Sequence, residues 1–398
     1  MGMKGKYTCI FGGGAVRGLA YVGAIKALKE LNFNVQTLVG SSVGAIVAGF
    51  LAVGYDADEI NDMLNQVNFE LFRDIHFGLN KEFALSKGNI FTDWLRESIE
   101  KKYYGDNYKK GENPPVTFKD ITKNFIVLTT DLNTFTPVEF SNFETPDFEI
   151  ANAIRISCSM PGLMTLVEQD EKRLVDGDLL KGMPLWMLSK HINTQDSRIL
   201  EFRLEGDTVS KDNNMFAFLN SIYSCMTSAT TDFIMDTFGQ NDRFDYIKIT
   251  TGDVIVIDFN LSPQDRQMLI KSGYKDTMKY LTEKAVSKKM LISAYYKNII
   301  TFMEKLIRAL KYNDISDTTN ILKSLFLYMS DAYKYIDTDI FESLRTLKND
   351  ILSAPKKKSW FKGEKFRDRN LYIDKADILK KVIKAKNDEL ADYISNIN

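Results

Sequence analysis

Apolar residues in the first sixty positions switch between two spacings. Tyr7 to Phe11 is a short, largely apolar and partly β-branched run that predicts a strand. Gly12-Gly13-Gly14 ends it, and from Leu19 to Leu31 apolar residues recur at helical spacing. The unit then repeats. Thr37-Leu38-Val39 predicts a second strand, Gly40-Ser41-Ser42-Val43-Gly44 turns the chain, and Ala45 to Val53 predicts a small-residue, fully apolar helix suited to burial. Strand–turn–helix repeats predict an α/β fold: a mostly parallel central sheet with helices on both faces. Such sheets carry their sites at the carboxyl ends of the strands, where both glycine turns fall. Further strands are expected at Phe125 to Thr130, Leu174-Val175, Ile199 to Leu204 and Tyr246 to Thr250.

The α/β pattern fades near residue 260, and Ser262-Pro263 marks a helix start. Beyond it the apolar spacing is helical in Met290 to Leu310, Thr319 to Tyr335 and Ile340 to Leu352. We therefore expect an α/β domain over 5–285 and a mainly helical C-terminal module over 286–398.

Charge and composition narrow the function classes. The 398 residues carry 52 Lys+Arg against 53 Asp+Glu, so no global field favours nucleic acid, and 44% hydrophobic with 26% charged residues suits a folded chain. Cys9, Cys158 and Cys225 lie far apart without C-x-x-C spacing, which encodes neither a disulfide framework nor a zinc site and fits a reducing compartment. The two histidines, His76 and His191, sit in no motif and read as structural, leaving few bases for a Ser-His-Asp triad. No Sec-type signal is visible and no apolar run approaches the roughly 18 residues of a membrane span. The expectation is a soluble, cytoplasmic chain, with secretion by a non-Sec route left open.

Three short segments carry candidate chemistry. Gly40-x-Ser42-x-Gly44 between a strand and a buried helix has the form of a nucleophile elbow, whose frame selects Ser42 over Ser41; the plain alternative is a tight turn whose serine caps the helix. Gly12 to Gly18 can gather backbone N–H groups around an anion, either a dinucleotide pyrophosphate or the oxyanion of a tetrahedral intermediate, or can simply turn. The dinucleotide reading is weakened by Ala15 and by a second strand that ends in Val39-Gly40 without an acidic residue. Asp176-Gly177-Asp178 follows a strand and by itself is an ordinary turn, but a serine nucleophile requires a proton acceptor and histidine is scarce.

Together, Gly12 to Gly18, Gly40 to Gly44 and Asp176-Gly177 resemble the glycine-rich, GxSxG and DG[AG] motifs of patatin-like phospholipases, in the same order. The helix after the glycine loop, Leu19 to Leu28, the stretch Arg155-Ile156-Ser157-Cys158-Ser159-Met160-Pro161-Gly162 and the segment Leu261 to Tyr274 resemble the family too, covering roughly residues 5–285. The resemblance implies a serine lipid acyl hydrolase of phospholipase A or lysophospholipase type, without metal or cofactor. Ser42 would be nucleophile, Asp176 general base, and Gly13, Gly14 and Ala15 the oxyanion hole. An acyltransferase with the same dyad, or a catalytically silent lipid-binding scaffold, are the alternatives. A carboxylate base lacks the matched pKa of imidazole, so slow turnover or an activating ligand is in keeping with this dyad. Two positions depart from the pattern: Ala15 stands where glycine is common, and Asp178 where Gly or Ala is usual. As a second carboxylate Asp178 reads either as raising the pKa of Asp176 or as facing solvent, and solvent is the expectation. Arg17, the loop's only charge, reads either as a head-group contact or as a salt bridge that fixes the loop. Cys158 reads as an inert buried thiol.

The near-neutral chain hides one charged segment. Residues 355–386 hold twelve Lys/Arg and four acidic residues, centred on Lys356-Lys357-Lys358-Ser359-Trp360-Phe361. Cations interleaved with aromatic rings suit peripheral contact with an anionic membrane; a solvated linker packing its two rings on a neighbour is the plain alternative.

Overall fold

The computed structural model of the chain describes residues 6–66, 84–180, 197–206, 221, 243–254, 256, 260–359 and 363–395. His76, His191, Cys225, Trp360 and Phe361 lie outside the described residues. The chain divides into two compact units, Met1–Tyr280 and Leu281–Asn398.

In the first unit, β1 (Lys6–Phe11) leads through the glycine loop to α1 (Ala20–Glu30), then β2 (Val35–Gly40) and α2 (Val43–Ala52). There follow α3 (Ala57–Gln66), β3 (Ala84–Ser86), α4 (Asn89–Tyr104), β4 (Asn124–Asp131), β5 (Thr136–Ser141) and α5 (Ile150–Ser157). Three further strands, β6 (Gly162–Met164), β7 (Val167–Gln169) and β8 (Lys172–Asp176), precede β9 (Ser197–Glu205) and β10 (Phe244–Thr250). The main sheet has the order β10-β9-β1-β2-β4-β8-β7, with β5 also on β4. From β10 to β4 every pairing is parallel, while β5 and β8 run antiparallel to β4 and β7 antiparallel to β8. The mostly parallel sheet is as expected; the antiparallel pairing at its edge is not, because apolar spacing can mark a strand such as Leu174-Val175 but carries no direction, and the three-residue β7 is too short to be marked at all.

The sheet is held by apolar residues that the strands bury. Ile10, Val39, Ile126 and Leu128 form one cluster across β1, β2 and β4, with Ile199 of β9 against it. Each such side chain contributes about 1.5–3 kcal/mol when buried. Ala45, Val47, Ala48 and Phe50 of α2 are all fully buried, which is why that helix carries no charge.

The second unit is built from the later turns of α6 (Pro263–Tyr312), then α7 (Ile315–Ala332), α8 (Thr338–Leu352) and α9 (Arg369–Ser395). Asp314 and Asp337 cap α7 and α8, accepting from the N–H of Asp317 at 2.9 Å and of Asp339 at 3.1 Å. Leu306 and Leu310, Leu325 and Met329, Leu344 and Ile351, and Ile383 bring the four helices into one core. The basic segment departs from the helical expectation: β11 (Lys356–Ser359) and β12 (Gly363–Phe366) form an antiparallel hairpin. Its lysine run has no apolar period to reveal a strand; Phe366 joins the core and Lys356, Lys357 and Lys358 stay exposed.

Candidate active site

Both glycine turns fall at the carboxyl ends of adjacent parallel strands, as the α/β pattern requires. At the second, Ser41 N–H donates to Phe11 O at 3.1 Å and Ser42 takes the left-handed backbone φ 52°, ψ −129°. A non-glycine residue held there costs on the order of 1–3 kcal/mol, so the surroundings must impose it. The flanking glycines do so. A Cβ at Gly44 would lie 2.0 Å from Phe11 O, and one at Gly40 would lie 2.4 Å from Ala45 Cα, so only glycine lets strand and helix come this close. Ser42 is half-buried.

Ser157, at the end of α5, holds the elbow from behind. Ser42 N–H donates to Ser157 Oγ at 2.9 Å, and Ser157 Oγ donates to Leu128 O of β4 at 2.6 Å. The same carbonyl is the wall against which Gly177 packs, where a Cβ would lie 2.0 Å from Leu128 O. Three successive contacts, through Ser157 and Leu128, therefore link the Ser42 backbone to the Asp176-Gly177 turn. The strand register agrees: Gly40 lies opposite Val127 and Asp176 opposite Thr129, so β2 and β8 present Ser42 and Asp176 on either side of β4. Asp176 is buried, its N–H donating to Ser159 O at 3.0 Å and its Oδ1 accepting from Asp178 N–H at 2.7 Å.

The glycine loop is pinned at Gly12, whose N–H donates to Phe202 O at 3.3 Å and whose O accepts from the buried Tyr21 hydroxyl at 2.9 Å. Gly14 has φ 149° and Ala15 φ 45°. Among the described residues, the N–H groups of Gly14 and Ala15 meet no acceptor, and neither does that of Val43 at the start of α2. The expectation for Gly13 is corrected: its N–H is already committed to Asp178 Oδ1 at 3.0 Å. Arg17 is corrected as a head-group contact. It is 3% exposed, and its Nε donates to Val254 O at 2.6 Å, tying the loop to the segment after β10.

Asp178 is a further correction, for it is 1% exposed and does not face solvent. Besides Gly13 it accepts from Ser41 Oγ at 2.9 Å and from Arg203 Nη1 at 3.1 Å. Burial alone would lower the Arg203 pKa, but the charges of Glu201 and Asp178 outweigh it and hold the guanidinium above its ordinary range. Arg155 is also buried and donates to Ser159 Oγ, Lys87 O and Thr165 O; desolvation lowers its pKa to about 10. Cys158 is half-buried, and desolvation of its thiol, reinforced by the charge of Asp176, pushes its pKa well up. No cluster of three or more His, Cys, Asp or Glu able to hold a metal ion occurs among the described residues.

Sequence reasoning marked the 155–162 stretch only by resemblance, and did not foresee what Ser157 and Ser159 do. Their partners, Ser42, Leu128 and Asp176, are distant in sequence, so no local signal announces the contacts.

The glycine loop, elbow and Asp-Gly turn on a mostly parallel sheet have counterparts among known proteins. The sequence pattern of the patatin-like phospholipases matches residues 9–189. An uncharacterized protein of Acanthamoeba polyphaga mimivirus is 30% identical over 283 residues, covering 66% of this chain and 89% of its own. The chain belongs to the patatin-like phospholipase family. A probable lipid hydrolase of Invertebrate iridescent virus 6 is 25% identical over 205 residues, covering 49% of this chain and 68% of its own. The crystal structure of VipD from Legionella pneumophila shares the fold, with a TM-score of 0.52 at 17% identity, covering 100% of this chain and 88% of that one. Membership places the chain among lipid hydrolases.

Proposed function

We propose that the chain cleaves acyl ester bonds of phospholipids or lysophospholipids through an acyl-enzyme, with Ser42 as nucleophile and Asp176 as general base. The observation that carries this reading is the chain of contacts from Ser42 N–H through Ser157 Oγ to Leu128 O, against which Gly177 packs. It ties a strained serine to a buried carboxylate turn, the pair that nucleophilic acyl transfer without histidine requires.

In the proposed reaction Asp176 takes the Ser42 Oγ proton as that oxygen attacks the ester carbonyl. The negative charge passing to the carbonyl oxygen is met by the N–H groups of Gly14 and Ala15. Asp176 returns the proton to the departing alcohol oxygen, leaving Ser42 acylated. A water then gives its proton to Asp176 and attacks the acyl carbon, releasing fatty acid as Ser42 recovers its proton. The exposed Lys356, Lys357 and Lys358 support a further element of the proposal, contact of the second unit with an anionic bilayer.

Fatty-acid release from mixed phospholipid vesicles tests the reading. Ser42→Ala and Asp176→Asn should each lower release about a thousandfold or more, while the exposed Ser343→Ala should not change it. Full release by folded Ser42→Ala would remove the mechanism.

A further inference from the structure

One carboxylate oxygen gathers the parts of the proposed site. Asp178 Oδ1 accepts from Gly13 N–H, from Ser41 Oγ and from Arg203 Nη1, at 3.0, 2.9 and 3.1 Å. These donors belong to the loop after β1, the turn after β2 and strand β9. The backbone of the same residue donates to Asp176 Oδ1 at 2.7 Å. Asp178 thus touches the glycine loop and the residue before Ser42 with its side chain, and the candidate base with its amide.

We infer that Asp178 is a positioning residue for the Ser42–Asp176 pair. It fixes the glycine loop against the elbow, so that the amides of Gly14 and Ala15 keep one geometry toward the reacting carbonyl oxygen. The inference rests on the reading of Ser42 and Asp176 given above. Two features separate this role from simple packing. Arg203 Nε also donates to Glu201 Oε1 at 2.6 Å, so removing the Asp178 carboxylate leaves the buried cation a second anionic partner. The amide toward Asp176 also survives any substitution except proline, so side-chain variants act on the loop and elbow and leave that contact with the base in place. The Gly or Ala that the DG[AG] pattern carries at this place supplies the amide but no anchor. An effective displacement of about 1 Å at a reacting group costs on the order of a hundredfold in rate.

The test compares Asp178→Asn, Asp178→Gly and Ser41→Ala with wild type on a soluble p-nitrophenyl ester, with fluorophosphonate labelling of Ser42 as second readout. Folding is checked by circular dichroism. The expected result is a ten- to hundredfold fall in kcat for Asp178→Gly and a smaller fall for Asp178→Asn and Ser41→Ala. KM should stay within twofold, and labelling should slow in parallel. A fall confined to KM, or full kcat in the folded variants, overturns the assignment. Should Asp178→Gly fail to fold, Ser41→Ala decides, because it removes one donor and leaves every charge paired. Ser42→Ala and Asp176→Asn in the same assay separate the two ideas. If both are inactive while Asp178→Asn and Ser41→Ala run at full rate, positioning alone fails; if Ser42→Ala is active, both fail.

Discussion

Ser157 shows how much one small side chain can organise. It is fully buried, and its hydroxyl satisfies both the Ser42 amide and the Leu128 carbonyl. Ser157→Ala leaves two buried polar groups unpaired, so stability should fall by about 1–3 kcal/mol in urea unfolding, with slower labelling of Ser42. Cys158, its neighbour, should behave in the opposite sense. Its pKa is raised, so near pH 8 almost none of it is thiolate in the folded state. Iodoacetamide should modify it at least about tenfold more slowly in native than in urea-unfolded protein, as read by site-resolved mass spectrometry. Equal rates would contradict the raised pKa. The places of Ser42, Asp176 and the two elbow glycines at strand ends were legible in the sequence, because a turn frame and a strand end are local features. Asp178 was misread because its partners lie 165, 137 and 25 residues away, and a carboxylate after Asp-Gly looks from the sequence like any solvated turn.

At the scale of elements, close approach of backbones sets the architecture. Gly44 lets α2 lie on the end of β1, and Gly273 of α6 meets α1, where a Cβ would be 1.8 Å from Ala20 O. Gly44→Ala and Gly273→Ala should each destabilise by about 1–3 kcal/mol, because helix and neighbour must part. Gly105→Ala is the useful contrast. It has φ 55° and ψ −127° with nothing within 4 Å, so only the backbone conformation is penalised, by about 1–3 kcal/mol as at Ser42. Denaturant midpoints of the three variants would show whether backbone crowding outweighs backbone conformation. The long parallel strands and the apolar helices were legible because period and length declare them. β3, β6 and β7 have three residues each, too few for a period, and the β11–β12 hairpin hides in a lysine run.

For the molecule as a whole, no described helix is long and apolar enough to cross a membrane, and the proposed contact with lipid rests on exposed lysines. Lys356, Lys357 and Lys358 are exposed on β11. At about 1 kcal/mol per cation near an anionic surface, replacing all three by Gln should weaken binding to phosphatidylserine-containing vesicles about a hundredfold in a sedimentation assay. Binding of the wild type should also fall as salt rises from about 0.1 to 0.5 M. Retained, salt-independent binding would move the contact elsewhere. The Ser157 bridge has a consequence at this scale as well. Turn amides ordinarily trade their hydrogens with solvent quickly, yet the Ser42 amide is bonded to a buried hydroxyl that is itself bonded to the central strand β4. Its deuterium uptake should therefore track that of the sheet, and the elbow should open to solvent only in those rare excursions that also open the strands.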